Sequence, residues 1–305
     1  MNFLRPSTLL VTLAAATLVQ GQVADRSGPA AWLGNLSLSA ASSATWVDNI
    51  SRTANVATRH HAMTYDFSVR AVRHQQLAPS WLLHLGADAT YLAVPEYDLT
   101  SSAKLGVHAG VQKKFGLGPF APVLHLDAGS SYKAARLAGD RGWTTDATLR
   151  LSKRVGPALQ VAVAGQWLKH DASSTLFALQ QRTWSAEANW DINDRWRLTG
   201  SAGRLTGTIV ANAAWPVWAK ALSGGFGPVA ATYYNANPWA VTDLYGPGWA
   251  SYRVEAAVDL WSLALAFEAS PRLSLELRTS SAFVVNKIGV TYPTKSWGLG
   301  LNYRF

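Results

Sequence analysis

The chain has 305 residues, a formal charge of +9, 49% apolar residues, 14 Trp, 10 Tyr and no cysteine. Past its first twenty residues no window reaches the 18 or more apolar residues of a spanning helix, which excludes a helical membrane protein, and the missing cysteines exclude a disulfide scaffold. So many amphipathic rings exceed the needs of a soluble β-sandwich and suit membrane–water interfaces, where one end of a ring is dry and the other wet.

At the amino terminus one positive charge, Arg5, precedes an apolar run from Leu9 to Val19 that is too short to span a bilayer. Val19 and Gly21 place small side chains where a signal peptidase requires them. The pattern predicts a signal peptide over residues 1–21, cleaved between Gly21 and Gln22, and a polar lead-in over 22–30.

From residue 31 to 305 the apolar residues recur with period two, which predicts an all-β chain. Twelve strands are expected, at 32–44, 63–73, 81–92, 103–115, 120–133, 143–153, 158–170, 176–191, 195–208, 251–267, 273–285 and 296–305. Phe67, Val69 and Ala71 alternate with Asp66, Ser68 and Arg70, and Leu105, Val107, Ala109 and Val111 with Lys104, His108 and Gln112. Short turns rich in Gly, Pro, Asn and Asp fall at 116–119, 155–157, 191–194 and 270–272, with 74–80 slightly longer. The intervening connections are longer, notably 47–62 and 209–250. Tight turns at one end and long loops at the other define a single antiparallel up-and-down barrel without a second domain. In strand ten the apolar phase passes from Val254, Ala256, Val258 and Leu260 to Trp261, Leu263, Leu265 and Phe267, which predicts a β-bulge near Leu260.

The last strand sets Trp297, Leu299, Leu301, Tyr303 and Phe305 on one face and Gly298, Gly300, Asn302 and Arg304 on the other. In water that apolar face would invite aggregation, so it belongs in lipid, with the polar face toward a lumen. The strand resembles the terminal strand of bacterial outer-membrane β-barrels, in which a closing Phe with an aromatic two residues earlier is the signal read by the insertion machinery. The resemblance implies an outer-membrane location, barrel-assembly machinery as a partner, contact with outer-membrane lipid and lipopolysaccharide, and both termini in the periplasm. Residues 44–53 also resemble the first hairpin of poorly characterised barrel families that carry an Asp, Asn, aliphatic signature. This implies a porin-like protein and carries no site residues.

Function then rests on the lumen and the loops. The polar phases place Asp66, Arg70, His84, Asp88, Lys104, His108, His125, Asp127, Asp146, Arg150, Glu187, Arg197, Arg253, Glu255, Asp259, Glu276, Arg278 and Arg304 inside. Eight strands give a filled interior and sixteen to eighteen an open channel, so twelve leave two outcomes: charges knitting the lumen shut, or flanking a hydrated path. His84, His108 and His125 fall on consecutive strands with Asp88 and Asp127 in the same phase, a donor set that suits zinc or copper when it converges. Without a compact metal motif the reading stays with hydrogen-bonded lumen histidines, no metal and no cofactor.

The connection 209–250 holds two charged residues, Lys220 and Asp243, among many aromatics, including Trp215, Trp218, Tyr233, Tyr234 and Trp239. Such a loop must pack on something. It is expected as a constriction or lid of the mouth, as a self-packed rim, or as a sugar-stacking recognition surface. No catalytic residues are read: a His, any residue, Ser triplet and a nucleophile elbow are both missing, and Ser101 with Lys104 or Ser130 with Lys133 alternate faces on a strand. The expectation is a non-enzymatic, narrow porin-like channel for small polar solutes without nucleic-acid partners. A surface-exposed structural or recognition barrel with a closed lumen is the alternative, and a lipid- or lipopolysaccharide-modifying enzyme a third.

Overall fold

The computed structural model describes residues 36–305. The expected signal peptide and lead-in, and the first residues expected in strand one, lie outside them. The strands in chain order are β1 (Leu36–Val47), β2 (Ala62–Ala78), β3 (Trp81–Ala93), β4 (Ser102–Lys114), β5 (Val123–Ala135), β6 (Gly142–Arg154), β7 (Leu159–Ala172), β8 (Leu179–Asp191) and β9 (Trp196–Ala214). Helices α1 (Trp215–Leu222) and α2 (Pro228–Ala236) and the short strand β10 (Trp239–Val241) follow, then β11 (Trp249–Ser270), β12 (Leu273–Asn286) and β13 (Thr291–Arg304). Twelve of these strands pair antiparallel with their neighbours in one ring. The ring is closed by β1 on β13, from Ser39↔Arg304 to Val47↔Ser296, and by β9 on β11, while β10 adds a rung inside the β9–β11 connection. Closure removes the open edges of the twelve-strand wall, as a spanning sheet requires.

The sequence periodicity explains the wall. Directly paired residues share a face, and one continuous outward set runs through Trp297, Leu299, Leu301 and Tyr303 on β13, Trp46, Phe67, Val69, Leu85, Leu105, Val107, Leu126, Leu149, Val163 and Leu277. These large apolar side chains are exposed, which in water would be a defect and in hydrocarbon is the required face. Trp46, Tyr91, Tyr132, Trp143 and Trp297 form one belt of rings; Trp81, Trp190, Trp196, Phe267, Tyr303 and Phe305 lie nearer the opposite rim. A concavity of about 690 Å³ in this outer wall, lined by Ala40, Phe67, Tyr91, Leu105, Tyr132 and Tyr303, belongs to the lipid face. Barrel strands of 12 to 22 residues exceed the ~9–11 that a tilted spanning strand requires, so several protrude at one end.

The expected alternation of connections holds in part, because residues 287–290 between β12 and β13 form a turn as short as those at the opposite end. Two-residue to eight-residue turns follow β2, β4, β6, β8 and β11, and loops 48–61, 94–101, 136–141 and 173–178 follow β1, β3, β5 and β7 at the other end. We call these the turn end and the mouth. The connection expected as a 42-residue loop is mostly built from regular elements: β9 continues to Ala214, β11 begins at Trp249, and two helices stand between them. Pro216 and Pro228 sit in the first turns, where a missing N–H costs nothing, and Gly227 at φ 100 supplies the left-handed step into α2.

The expected β-bulge near Leu260 is absent. The β9–β11 ladder runs unbroken from Trp249↔Ala214 to Phe267↔Trp196, and the register shift of β11 against β12 lies between Glu268 and Ser270. The backbone keeps its phase while the environment changes sides. Below Leu260 the dry side is outside, at Trp261 and Leu263; above it the dry side is inside, where Val254, Ala256 and Val258 are buried.

Candidate functional site: a charged lumen beneath a folded mouth

The inward face from β2 to β8 carries most of the charge, and neighbouring strands pair it. His84 on β3 meets Asp127 on β5, and His108 on β4 lies 3.0 Å from an Arg70 guanidinium nitrogen on β2 and 3.5 Å from Asp88 on β3. Arg150 on β6 donates to Glu187 on β8 at 2.6 Å, and Glu187 also accepts from Asn189. His125 stands opposite Arg150 and Gln112, Asp146 opposite Gly129 and Leu168, and Lys104 opposite Thr90 and Lys133. Asp66 faces Ser43 and Leu92 across its two neighbours.

The β9–β13–β1 half of the inner wall is made of small and hydroxyl side chains: Ser201 with Ser262, Ser280 with Ser296, Ser39, Ser43 and Thr45. Its charges sit toward the turn end, where Glu276 pairs with Arg278 at 2.8 Å and Arg304 with Glu268 at 3.5 Å. There too Asp191 accepts from both Arg154 and Arg197, at 3.1 and 2.6 Å. Arg154, Asp191, Glu268 and His74 were not singled out in the sequence, and Lys133 was named only as the partner of Ser130. Arg154 and Glu268 sit one residue past the expected strand ends, although each continues the inward parity of its strand.

Arg253, Glu255 and Asp259 do not face the lumen. They alternate with Val254, Ala256 and Val258, and so take the outward face of β11, Asp259 within the ring and Arg253 and Glu255 beyond it. Arg253 donates to the carbonyls of Thr175 and Ala178, Glu255 pairs with Lys287 at 2.7 Å, and Asp259 with Arg204 at 3.1 Å. Nor do His84, His108 and His125 converge on a common point: among the described residues no three metal-ligating side chains form a group. Ser130 and Lys133 occupy opposite faces of β5.

The mouth is built differently. β8 stops pairing with β9 at Gln181↔Gly207, where Gly207 takes φ 135 and a methyl would overlap the Gln180 carbonyl. Beyond it the β9–β11 hairpin leaves the ring and buries both faces. One face packs Ile209, Ala211, Tyr252 and Val254 on Trp218 of α1 and Tyr234 of α2, together with Val284 and Tyr292 of the β12–β13 wall. Trp218 stacks on Tyr252 at 4.4 Å and meets Tyr234 edge-on at 4.7 Å. The other face joins Trp249, Leu244 and Tyr245 to Val47, Ile50, Val94, Leu176 and Phe177. Those residues come from strands and loops around the whole ring, so they meet only if the loops converge across the opening.

Polar struts complete the mouth. Asn49 and Ser51 are fully buried; Asn212 donates to the Ser51 carbonyl at 2.9 Å and Tyr245 to the Ile50 carbonyl at 2.8 Å. Burial raises the Tyr245 phenol to about 12. His60 lies among Tyr97, Tyr245 and Trp249, and burial, then the neighbouring His61, lowers its pKa. Burial alone would raise the Asp140 carboxyl, but its bonds from His170 and Lys133 hold it below the usual range. Thr144 bonds His170 at 2.9 Å, a hydroxyl–imidazole–carboxylate chain whose Thr and His are buried in the wall. A cavity of about 60 Å³ remains under the hairpin, between Arg52, Thr100, Lys133, Asp140, Asn212 and Tyr245. Of the aromatics expected at the mouth, Trp218 and Tyr234 form its core, Tyr233 bonds the Glu255 amide at 3.3 Å, and Trp215 and Trp239 pack together on the outside at 5.9 Å.

No protein-family model matches the chain, and no curated protein matches its sequence. Among solved structures it is similar to an outer-membrane channel from Pseudomonas putida F1, with a TM-score of 0.55 and 9% identity over 88% of this chain and 95% of that one. It is also similar to the NanC porin, with a TM-score of 0.44 and 9% identity over 87% of this chain and 100% of that one. The KdgM porin follows at a TM-score of 0.42 and 8% identity over 88% of this chain and 99% of that one. The likeness is one of fold, and it agrees with the closed ring and its apolar outer face. The chain has the fold of bacterial outer-membrane β-barrels.

Proposed function

We propose that the barrel is a narrow porin-like channel for small polar solutes, constricted at the mouth by the β9–β11 hairpin and its two helices. The observation that carries this reading is a gradient of exposure along the inward face. From the turn end to mid-height several inward charged side chains keep open surface, 37% for Arg304, 38% for Glu276 and 37% for Asp88, while the paired Arg150 and Glu187 keep 21% and 9%. At the mouth Lys133 keeps 4% and His170 2%. A lumen packed shut would bury both sets. In this reading the turn end and both termini are periplasmic, the mouth lies outside among lipopolysaccharide, and the closing strand ending in Phe305 is presented to the barrel-assembly machinery. The Thr144–His170–Asp140 chain ties β5, β6 and β7 together as a strut.

The two apolar clusters of the mouth favour a second reading, a recognition barrel whose lumen does not conduct. Planar-bilayer conductance of the refolded full chain separates the two, measured for the parent and for Trp218→Ala, which removes the central ring of the mouth. A channel predicts conductance in the parent that increases in the variant. Silence from both, with both folded by heat-modifiability, rejects the channel.

A further inference from the structure

We infer that two reciprocal glycine–histidine pairs on β3 and β4 set the bore of the lumen at mid-height, making His84 and His108 its filter; this rests on the channel reading. His84 stands directly opposite Gly110, and His108 directly opposite Gly86. A ring can lie flat across the neighbouring strand only where the partner directly opposite has no side chain, since Cβ atoms at such positions stand ~4.5–5.5 Å apart. Here the partner is absent and each ring leans over the neighbouring strand to the one beyond. His84 crosses β4 to reach Asp127 on β5, while His108 crosses β3 to reach Arg70 on β2.

The glycines are there for room. Neither Gly86 nor Gly110 has a positive φ, and glycine inside a strand otherwise weakens it. A methyl on Gly86 would overlap the His108 ring and stand 3.0 Å from the Ala71 carbonyl; one on Gly110 would overlap the His84 ring and the Asp127 carboxylate. Both rings consequently lie flat, each with 12% of its side chain exposed, in a lumen where neighbouring Asp88 and Asp127 keep 37% and 34%. A ring displaced from the glycine has the lumen to enter. The bore at this level is therefore decided by two hydrogen atoms on β3 and β4.

The test is single-channel conductance of the full chain carrying Trp218→Ala, so that the mouth limits the current less. Gly86→Ala and Gly110→Ala are each expected to lower conductance by about two-fold or more, because the narrowest ring of lining side chains controls passage. Adding His108→Ala to Gly86→Ala should restore it, and His108→Ala or His84→Ala alone should raise it. Gly300→Ala, facing the lumen where a methyl meets nothing nearer than 3.7 Å, is expected to change nothing. Should the glycine variants fail to fold, the two histidine variants decide: higher conductance supports the filter and unchanged conductance overturns it. If the Trp218→Ala protein conducts and none of these variants alters the current, the filter is wrong and the channel stands. If folded Trp218→Ala protein does not conduct at all, the channel reading falls and the filter with it.

Discussion

The lower lumen and the mouth are made from the same strands with the same parity, yet they are solvated in opposite senses. Along β11, Ser262 faces the lumen and bonds Ser201 while Trp261 and Leu263 face lipid; eight residues earlier Val254 faces a dry interior while Arg253 and Glu255 face outward. Strand geometry determines which residues share a face, and it does not determine which face is dry. In the barrel wall lipid decides that. At the mouth the decision belongs to α1 and α2, which bring Trp218 and Tyr234 inside the ring.

This contrast can be broken most forcefully at the centre of the mouth. Trp218→Ala should cost about 3–5 kcal/mol of local stability, the usual loss for truncating a buried aromatic. Hydrogen exchange should then accelerate in α1, α2 and residues 208–214 and stay slow in β2 to β7. Equal acceleration around the ring would show that the mouth and the wall are one cooperative unit.

Next in size is a test of the wall itself. Val107 is 64% exposed on the lipid face and His108 faces the lumen. Val107→Arg should cost about 2–4 kcal/mol near the midplane, and His108→Arg distinctly less because water reaches that side. Equal unfolding midpoints for these neighbours in lipid would contradict the wall as described.

A smaller effect is expected where the dry side has changed. Asp259 pairs with Arg204 in the open, with both side chains more than half exposed. Asp259→Ala should therefore shift stability by less than about 1 kcal/mol, as exposed ion pairs do. A large loss would place Asp259 in the lumen after all.

The mildest perturbation is acidification. The folded-state pKa of His60 lies below the ordinary histidine value of about 6.5, so its contribution is complete above 6.5 and declines as the pH falls through the lowered value. Asp140, also lowered in the folded state, adds a second decline at more acid pH, within and below the ordinary carboxylate range. Amide exchange around residues 48–61 and 94–101 should quicken below pH 6.5, and His60→Phe should abolish that first step. Unchanged acid sensitivity in the variant would remove His60 from the account.

Much of the wall was legible in the chain. Phe67 against Asp66 and Leu105 against Lys104 announce period two, the Gly, Pro and Asn clusters mark the turn end, and Trp297 to Phe305 marks the closing strand. Strand ends were read within a few residues except where β2, β9 and β13 extend beyond their expected limits at residues 73, 208 and 296. The reason is that 209–214 continues the alternation with Ala211 and Ala213, side chains too small to register as an apolar phase. The same limit hid the helices: Trp218 and Tyr234 read as aromatic loop residues until their partners Tyr252 and Tyr292 are known.

By itself the sequence determined the all-β class, the alternation of faces, the side of the barrel that carries short turns and most of the lumen charges, since these follow from local periodicity and turn chemistry. Only the tertiary structure decided that Arg253, Glu255 and Asp259 point outward, that the mouth is folded over, and that His84 and His108 lie flat against Gly110 and Gly86. Those outcomes depend on what stands across a strand pair or across the ring. Residues such as Arg70 and His108, or Val47 and Trp249, are brought together by register and closure, which no local stretch of chain encodes.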